Sequence, residues 1–219
     1  MKINSIQIGK AEKIQVSDGR IFDSGIHKKP IQGKIFLDKL GLKNDEVMGN
    51  PYHGGEGRAL FMSSLDAYRY WGQFVLDQSL LSPGALGENV TMDSLDEPSL
   101  YIGDVFDLGE TRIQVTMPRI PCPIFAKKMG LVNTGELQHH CPYPGILFRV
   151  LKTGYIENGD ELRSVERHLT NLSLLQFLAM FKNRGKITKS NFELLKKTPY
   201  IPNNFISVIV GQNRVIEES

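Results

Sequence analysis

The chain has 219 residues, 41% of them apolar, and a formal charge of only +2. That balance supports a packed core and argues against nucleic-acid binding, and two cysteines do not make a disulfide framework. No apolar run reaches membrane-spanning length and the first residues lack the apolar centre of a signal peptide, so a cytoplasmic protein with two free thiols is expected.

Ile3, Ile6 and Ile8 read as a strand closed by Gly9, with a second strand at 13–16 and a turn at Asp18-Gly19-Arg20. Residues 24–31 read as a loop and 31–37 as a strand. Next comes Pro51-Tyr52-His53-Gly54-Gly55-Glu56-Gly57-Arg58. Three glycines in four residues allow positive φ, and successive N–H groups in such a loop can cradle an anion. A buried strand follows at 59–62, then a helix capped by Ser63 or Ser64 and carrying Leu65, Tyr68, Trp71 and Val75 at helical spacing. Residues 82–91 form a second Gly-rich loop that ends in polar side chains, Glu88, Asn89 and Thr91 among them.

A hairpin about Gly109 joins strands at 101–108 and 111–117. Its second strand runs into Met117-Pro118-Arg119-Ile120-Pro121-Cys122-Pro123. Pro121 and Pro123 cannot donate to a ladder, and Pro123 holds Cys122 extended. A neighbouring guanidinium favours the thiolate; the alternative is a small buried apolar side chain at a strand end. A short helix at 124–129, an irregular stretch at 131–144 containing His139-His140-Cys141, a strand at 146–151 and a hairpin about Asn158-Gly159 at 155–165 complete this part.

Short strands, Gly/Pro loops and one clear helix suggest a mainly β fold with α (α+β), a β-barrel-like domain over 1–165. The pattern then changes. A helix capped by Thr170 or Asn171 carries Leu174, Leu175, Leu178 and Phe181, and a second spans 188–198. Pro202 can open a third, although the β-branched run at 205–210 equally allows a hairpin. Residues 166–219 are thus expected to form a small C-terminal appendage. The chain from Arg163 onward carries a net +5 against −3 before it, most simply a solvated helical face.

Four motifs occur in the order seen in MOSC domains, relatives of the C-terminal domain of molybdenum cofactor sulfurase. They are His53-Gly54-Gly55, Pro83-Gly84-x-x-Gly87-Glu88-Asn89-x-Thr91, Gly103-Asp104 and Pro118-Arg119-x-Pro121-Cys122. The resemblance covers residues 1–165, and the tail resembles the three-helix appendage of the YiiM-type subgroup, which favours helix over hairpin at 202–218. It implies a β-barrel that binds the molybdenum cofactor (Mo-molybdopterin), with Cys122 as the metal's thiolate ligand and a catalytic residue. It further implies Gly54, Gly55, Arg58, Arg119 and Arg149 as cofactor contacts, Asn89 on the pterin edge, and Glu88 orienting an arginine. His53 either donates a proton in catalysis or serves the fold.

The activity so implied is an oxidoreductase that reduces N-hydroxylated compounds, such as hydroxylaminopurine bases. The small-molecule substrate would be joined by an external electron-donor protein, since no flavin, haem or nicotinamide motif is evident. Neither nucleic acid nor membrane is an expected partner, and a homodimer stays open. The alternative is a sulfur carrier that holds a Cys122 persulfide for cofactor or metal–sulfur cluster assembly.

Overall fold

The computed structural model describes residues 1–16, 18–48, 53–75, 77–120, 123–130, 141–169, 171–198, 200–201, 203–211 and 215–216. Tyr52, Pro121, Cys122, His139, His140, Thr170 and Pro202, all of which carry expectations above, lie outside them.

The strands are β1 (Ile3–Gly9), β2 (Glu12–Gln15), β3 (Ile21–Ser24), β4 (Lys28–Pro30), β5 (Ile35–Asp38), β6 (Gly41–Leu42), β7 (Leu60–Ser64) and β8 (Val90–Met92). They continue as β9 (Val105–Leu108), β10 (Thr111–Pro118), β11 (Ile146–Lys152), β12 (Gly154–Ile156), β13 (Leu162–Glu166), β14 (Ile187–Thr188) and β15 (Val215–Ile216). The helices are α1 (Leu65–Trp71), α2 (Pro123–Met129), α3 (Leu174–Lys182), α4 (Lys189–Lys197) and α5 (Asn203–Val210). Among the described residues, no helix is long and apolar enough to cross a membrane.

Eight strands form the main sheet in the order β13-β9-β10-β11-β7-β8-β1-β4. Within this sheet, among the described residues, only β7 and β8 pair in parallel, because the chain between them crosses over through α1 and the second Gly-rich loop. The expected barrel is not formed: the sheet has two ends, β13 and β4, and stays open. The chain start touches the β13 edge through the isolated Lys2–Glu161 bridge just before it and the Leu162 N–H to the Met1 carbonyl at 3.0 Å, without a ladder between β1 and β13. Closure needs matched strand tilt and stagger. Here the edge strand β4 ends on Pro30, which has no N–H to extend a ladder, and the register shifts within the β1–β8, β10–β11 and β13–β9 pairs.

The hairpin expected at 155–165 is also corrected. β12 pairs with β5 in a separate three-stranded sheet, whereas β13 pairs with β9. The Asn158-Gly159 turn does occur, with Gly159 at φ +92°, but the Gly159 N–H goes to the Ile3 carbonyl at 2.9 Å instead of closing a ladder between its own flanks.

Local signals held where their chemistry is local. Ser64 caps α1 by accepting the Ala67 N–H. The hairpin about Gly109 pairs β9 with β10. Residues 203–210 are helical, and α4 is capped by Thr188. α3 is capped by Ser173, with Gln176 bonding back to the Ser173 N–H, so the reciprocal Ser-x-x-Gln box starts the helix instead of Thr170 or Asn171. Asn171 itself sits at φ +55°, unlike the extended backbone of a cap.

One hydrophobic core runs from the sheet into the appendage. Phe106, Ile113, Val115 and Phe148 share it with Leu174, Phe177, Leu195 and Ile209. The appendage is thereby fixed against β10, at the end of the sheet where Arg119 leaves it. A smaller cluster of Tyr68, Trp71, Phe125, Met129 and Cys141 packs α1 against α2.

Candidate functional site

Gly54 and Gly55 both adopt left-handed backbone, at φ +67° and +80°. A Cβ on Gly55 would meet nothing within 4 Å, so backbone conformation, not space, selects glycine there. The turn closes on itself: the Arg58 N–H donates to the Gly55 carbonyl at 2.9 Å and Arg58 Nε to the Gly54 carbonyl at 3.0 Å. Thr116 of β10 anchors it by donating from Oγ1 to the Gly57 carbonyl at 2.7 Å. The guanidinium of Arg58 lies 5.5 Å from the Phe205 ring of α5.

Arg119 follows β10, and its N–H donates to the Gly145 carbonyl at 2.9 Å. Its guanidinium stacks between aromatic rings, 4.1 Å from Phe125 and 5.5 Å from Phe61. His53 faces both arginines. The protein around it first, and then the positive charges of Arg119 and Arg58, lower the His53 pKa below 6.5. Its ring keeps exposed surface, which weakens the burial contribution and leaves the two charges as the site-specific one. A neutral imidazole beside two cations is the result at pH 7.

Arg149 projects from β11 on the face opposite Ile146, Phe148 and Val150, which enter the core. Its Nε donates to Gln114 Oε1 on β10 at 2.8 Å, and its guanidinium lies 3.5 Å from the Tyr200 ring. The fold therefore brings His53, Gly54, Gly55, Arg58 and Arg119 together and sets Arg149 where β11 meets the appendage.

Glu88 and Asn89 turn instead into an interior network. Glu88 Oε1 accepts from Tyr68 Oη at 2.5 Å, Gly84 N at 2.8 Å and Thr91 Oγ1 at 2.6 Å. Asn89 donates from Nδ2 to Asp45 Oδ2 at 2.8 Å and accepts the Phe61 N–H on Oδ1. Asp45 in turn holds the buried Lys28 ammonium at 2.6 Å and the Gly9 N–H at 2.7 Å. This polar lattice fixes the Gly-rich loop to β1 and β7, behind the arginines. Lys128 of α2 closes it from the other side, donating to the Ile26 and Gly84 carbonyls at 2.9 Å, and its burial lowers its pKa to about 8.

Sequence reasoning missed Gln114, Lys128, Tyr200, Phe205 and the Lys28–Asp45 pair, since each acquires its role from a residue far away in the chain. Cys141 was expected as a free thiol in an irregular stretch, and its burial was not. Cys141 is a free, buried thiol whose pKa burial pushes up to about 12. Cys122, the sequence-expected metal ligand, lies outside the described residues. Among those described, no group of three His, Cys, Asp or Glu side chains is placed to hold a metal. The residues present fit the anionic part of a phosphate-bearing cofactor: a glycine turn with positive φ and three basic side chains on aromatic supports.

The chain belongs to the MOSC domain family, whose model matches residues 49–163, over half its length. Within that family it is of the YiiM type. It is 34% identical over 145 residues to protein YiiM of Escherichia coli K12, covering 66% of this chain and 65% of that one. It superposes on the crystal structure of YiiM from Geobacillus stearothermophilus with a TM-score of 0.75 at 26% identity, covering 95% of this chain and 96% of the other. A protein of Gibberella moniliformis named "Reductase" is 26% identical over 212 residues, which span 92% of this chain and 37% of the fungal protein.

Proposed function

We propose that this chain is a molybdenum-cofactor-binding oxidoreductase that reduces N-hydroxylated compounds with electrons from a partner protein. The observation that carries the reading is the left-handed Gly54-Gly55 turn, which holds the Arg58 side chain, together with Arg119 stacked on Phe125 and Phe61. The name of the fungal relative supports the reaction class.

In this reading Arg58, Arg119 and Arg149 would hold the cofactor phosphate, and Cys122 would provide the thiolate ligand. The bound cofactor supplies a centre that passes two electrons and accepts an oxygen atom. Overall, R–NHOH takes up two electrons and two protons to give R–NH2 and water. His53 Nδ1 or Nε2 holds one of those protons. The two guanidiniums that keep the imidazole neutral are the groups an anion would offset, so anion binding raises the His53 pKa and favours the protonated ring. The aromatic rings cover part of each arginine and so strengthen its hold on the anion.

The test is elemental analysis of the chain produced in a host that makes the cofactor, beside Cys122→Ser. About one molybdenum per chain, lost in the variant, is the expected result. Molybdenum absent from both, with a persulfide at Cys122 after exposure to a cysteine desulfurase, would replace this reading by the sulfur-carrier one.

A further inference from the structure

We propose that Tyr200 is a positioning residue: it holds the Arg149 guanidinium for an anion and makes the appendage a wall of the site. This rests on the reading of the arginines as phosphate contacts.

Arg149 is fixed twice. Gln114 Oε1 takes its Nε–H at 2.8 Å, and the Tyr200 ring covers its planar face at 3.5 Å. With Nε engaged, the two Nη groups carry the remaining four N–H donors. Among the described residues no carboxylate pairs with them. The pair borders solvent, since Tyr200 is 38% exposed.

Tyr200 reaches this place in an unfavourable backbone conformation. Its φ is +80°, a region unfavourable for a bulky residue that persists only where its surroundings enforce it. The enforcement is visible. The His168 ring meets the Tyr200 ring edge-on at 6.4 Å. The His168 N–H is held by Asp104 Oδ1 at 3.0 Å, and a Cβ on Gly103 would lie 2.4 Å from the His168 ring. The Gly103-Asp104 motif thus backs the tyrosine that backs the arginine. Five residues on, Phe205 faces Arg58, so the same end of the appendage touches two of the three arginines.

The test follows the arginine Nε–H signals of 15N-labelled protein by NMR during titration with inorganic phosphate. It compares the unaltered chain with Tyr200→Phe, Tyr200→Gly, Arg149→Gln and the Tyr200→Gly/Arg149→Gln double variant, each checked by thermal melting. Tyr200→Phe keeps the ring and should bind as the unaltered chain does. Tyr200→Gly relieves the backbone strain and removes the ring, so it should melt no lower yet bind phosphate about tenfold more weakly. It should add nothing in the Arg149→Gln background, which a purely structural role would not produce. Unchanged phosphate affinity in Tyr200→Gly overturns the proposal and leaves the anion reading standing. No response of any arginine in the unaltered chain overturns both.

Discussion

Glu97 Oε2 accepts the Gly145 N–H at 2.7 Å, and the Gly145 carbonyl accepts the Arg119 N–H at 2.9 Å. A fully buried carboxyl thus supports the backbone that launches Arg119, three residues before Cys122. Burial first, opposed by the Gly145 N–H and aided by the nearby charge of Asp66, pushes the Glu97 pKa from 4.5 to about 8. Glu97 therefore holds its proton at pH 7. Between those two values the folded chain binds more protons than the unfolded one, so this group's contribution is complete below pH 4.5 and is lost as pH rises through 8. Glu97→Gln keeps an oxygen for Gly145 and removes the titration. Urea unfolding from pH 5 to 9 should show the variant gaining on the parent with rising pH, by a few kcal/mol at the alkaline end. A difference that stays flat with pH would contradict the assignment.

His53 titrates in the opposite sense. Its pKa lies below 6.5, through the protein around it and the charges of Arg119 and Arg58. The unfolded chain then takes up the proton first, so stability falls as pH drops below 6.5 through the folded value. Two substitutions should move the ring the same way. Arg119→Gln and Arg58→Gln each remove a positive neighbour and should raise the His53 pKa, read from its ring carbon-bound proton by NMR. Phosphate added to the unaltered chain should raise it too. A pKa indifferent to both arginines would separate His53 from the cation cluster.

The parts of this fold readable in the chain are those whose cause lies within a few residues. Ser64 caps α1 because its own side chain reaches Ala67, and Gly109 turns a hairpin because both strands adjoin it. Sheet closure is different: it depends on whether β4 and β13 meet, and neither carries a signal of the other. The candidate site divides along the same line. The positive φ of Gly54 and Gly55 was legible from glycine itself. Glu88 and Asn89 were legible as a motif, yet their partners, Tyr68 and Asp45, lie 20 and 44 residues away. Tyr200 could not be connected to Arg149 at all, because only packing of the appendage on β10 and β11 brings them together.

Lys28 and Asp45 form a buried ion pair, with side chains only 5% and 3% exposed. Each charge has lost its water, so the pair holds only while both members are present and their remaining donors and acceptors are used. Both carboxylate oxygens accept from the lysine, and the Gly9 N–H and Asn89 Nδ2 donate to them as well. Asp45→Ala should cost about 3–5 kcal/mol, because it strands the lysine in the interior. Lys28→Met with Asp45→Leu should recover much of that loss. If Asp45→Ala alone were within about 0.5 kcal/mol of the parent in urea unfolding, the pair would carry no more than a surface salt bridge does.

Cys141 should be chemically silent in the folded chain. Its thiol is 2% exposed, packed with Tyr68, Trp71 and Phe125, and bonded to the backbone of Tyr143. Burial is the main cause that pushes its pKa up to about 12. At pH 8 only about 10⁻⁴ of it is thiolate, against roughly a quarter for an ordinary cysteine. Reaction with iodoacetamide, followed by mass spectrometry of the peptides, separates it from Cys122. In the folded Cys122→Ser variant Cys141 should stay unlabelled for hours, and in denaturant it should label completely. Rapid labelling of Cys141 in the folded variant would mean that the cluster joining α1 to α2 opens on the time scale of the reaction, and that the wall behind Arg119 is not the closed one seen here.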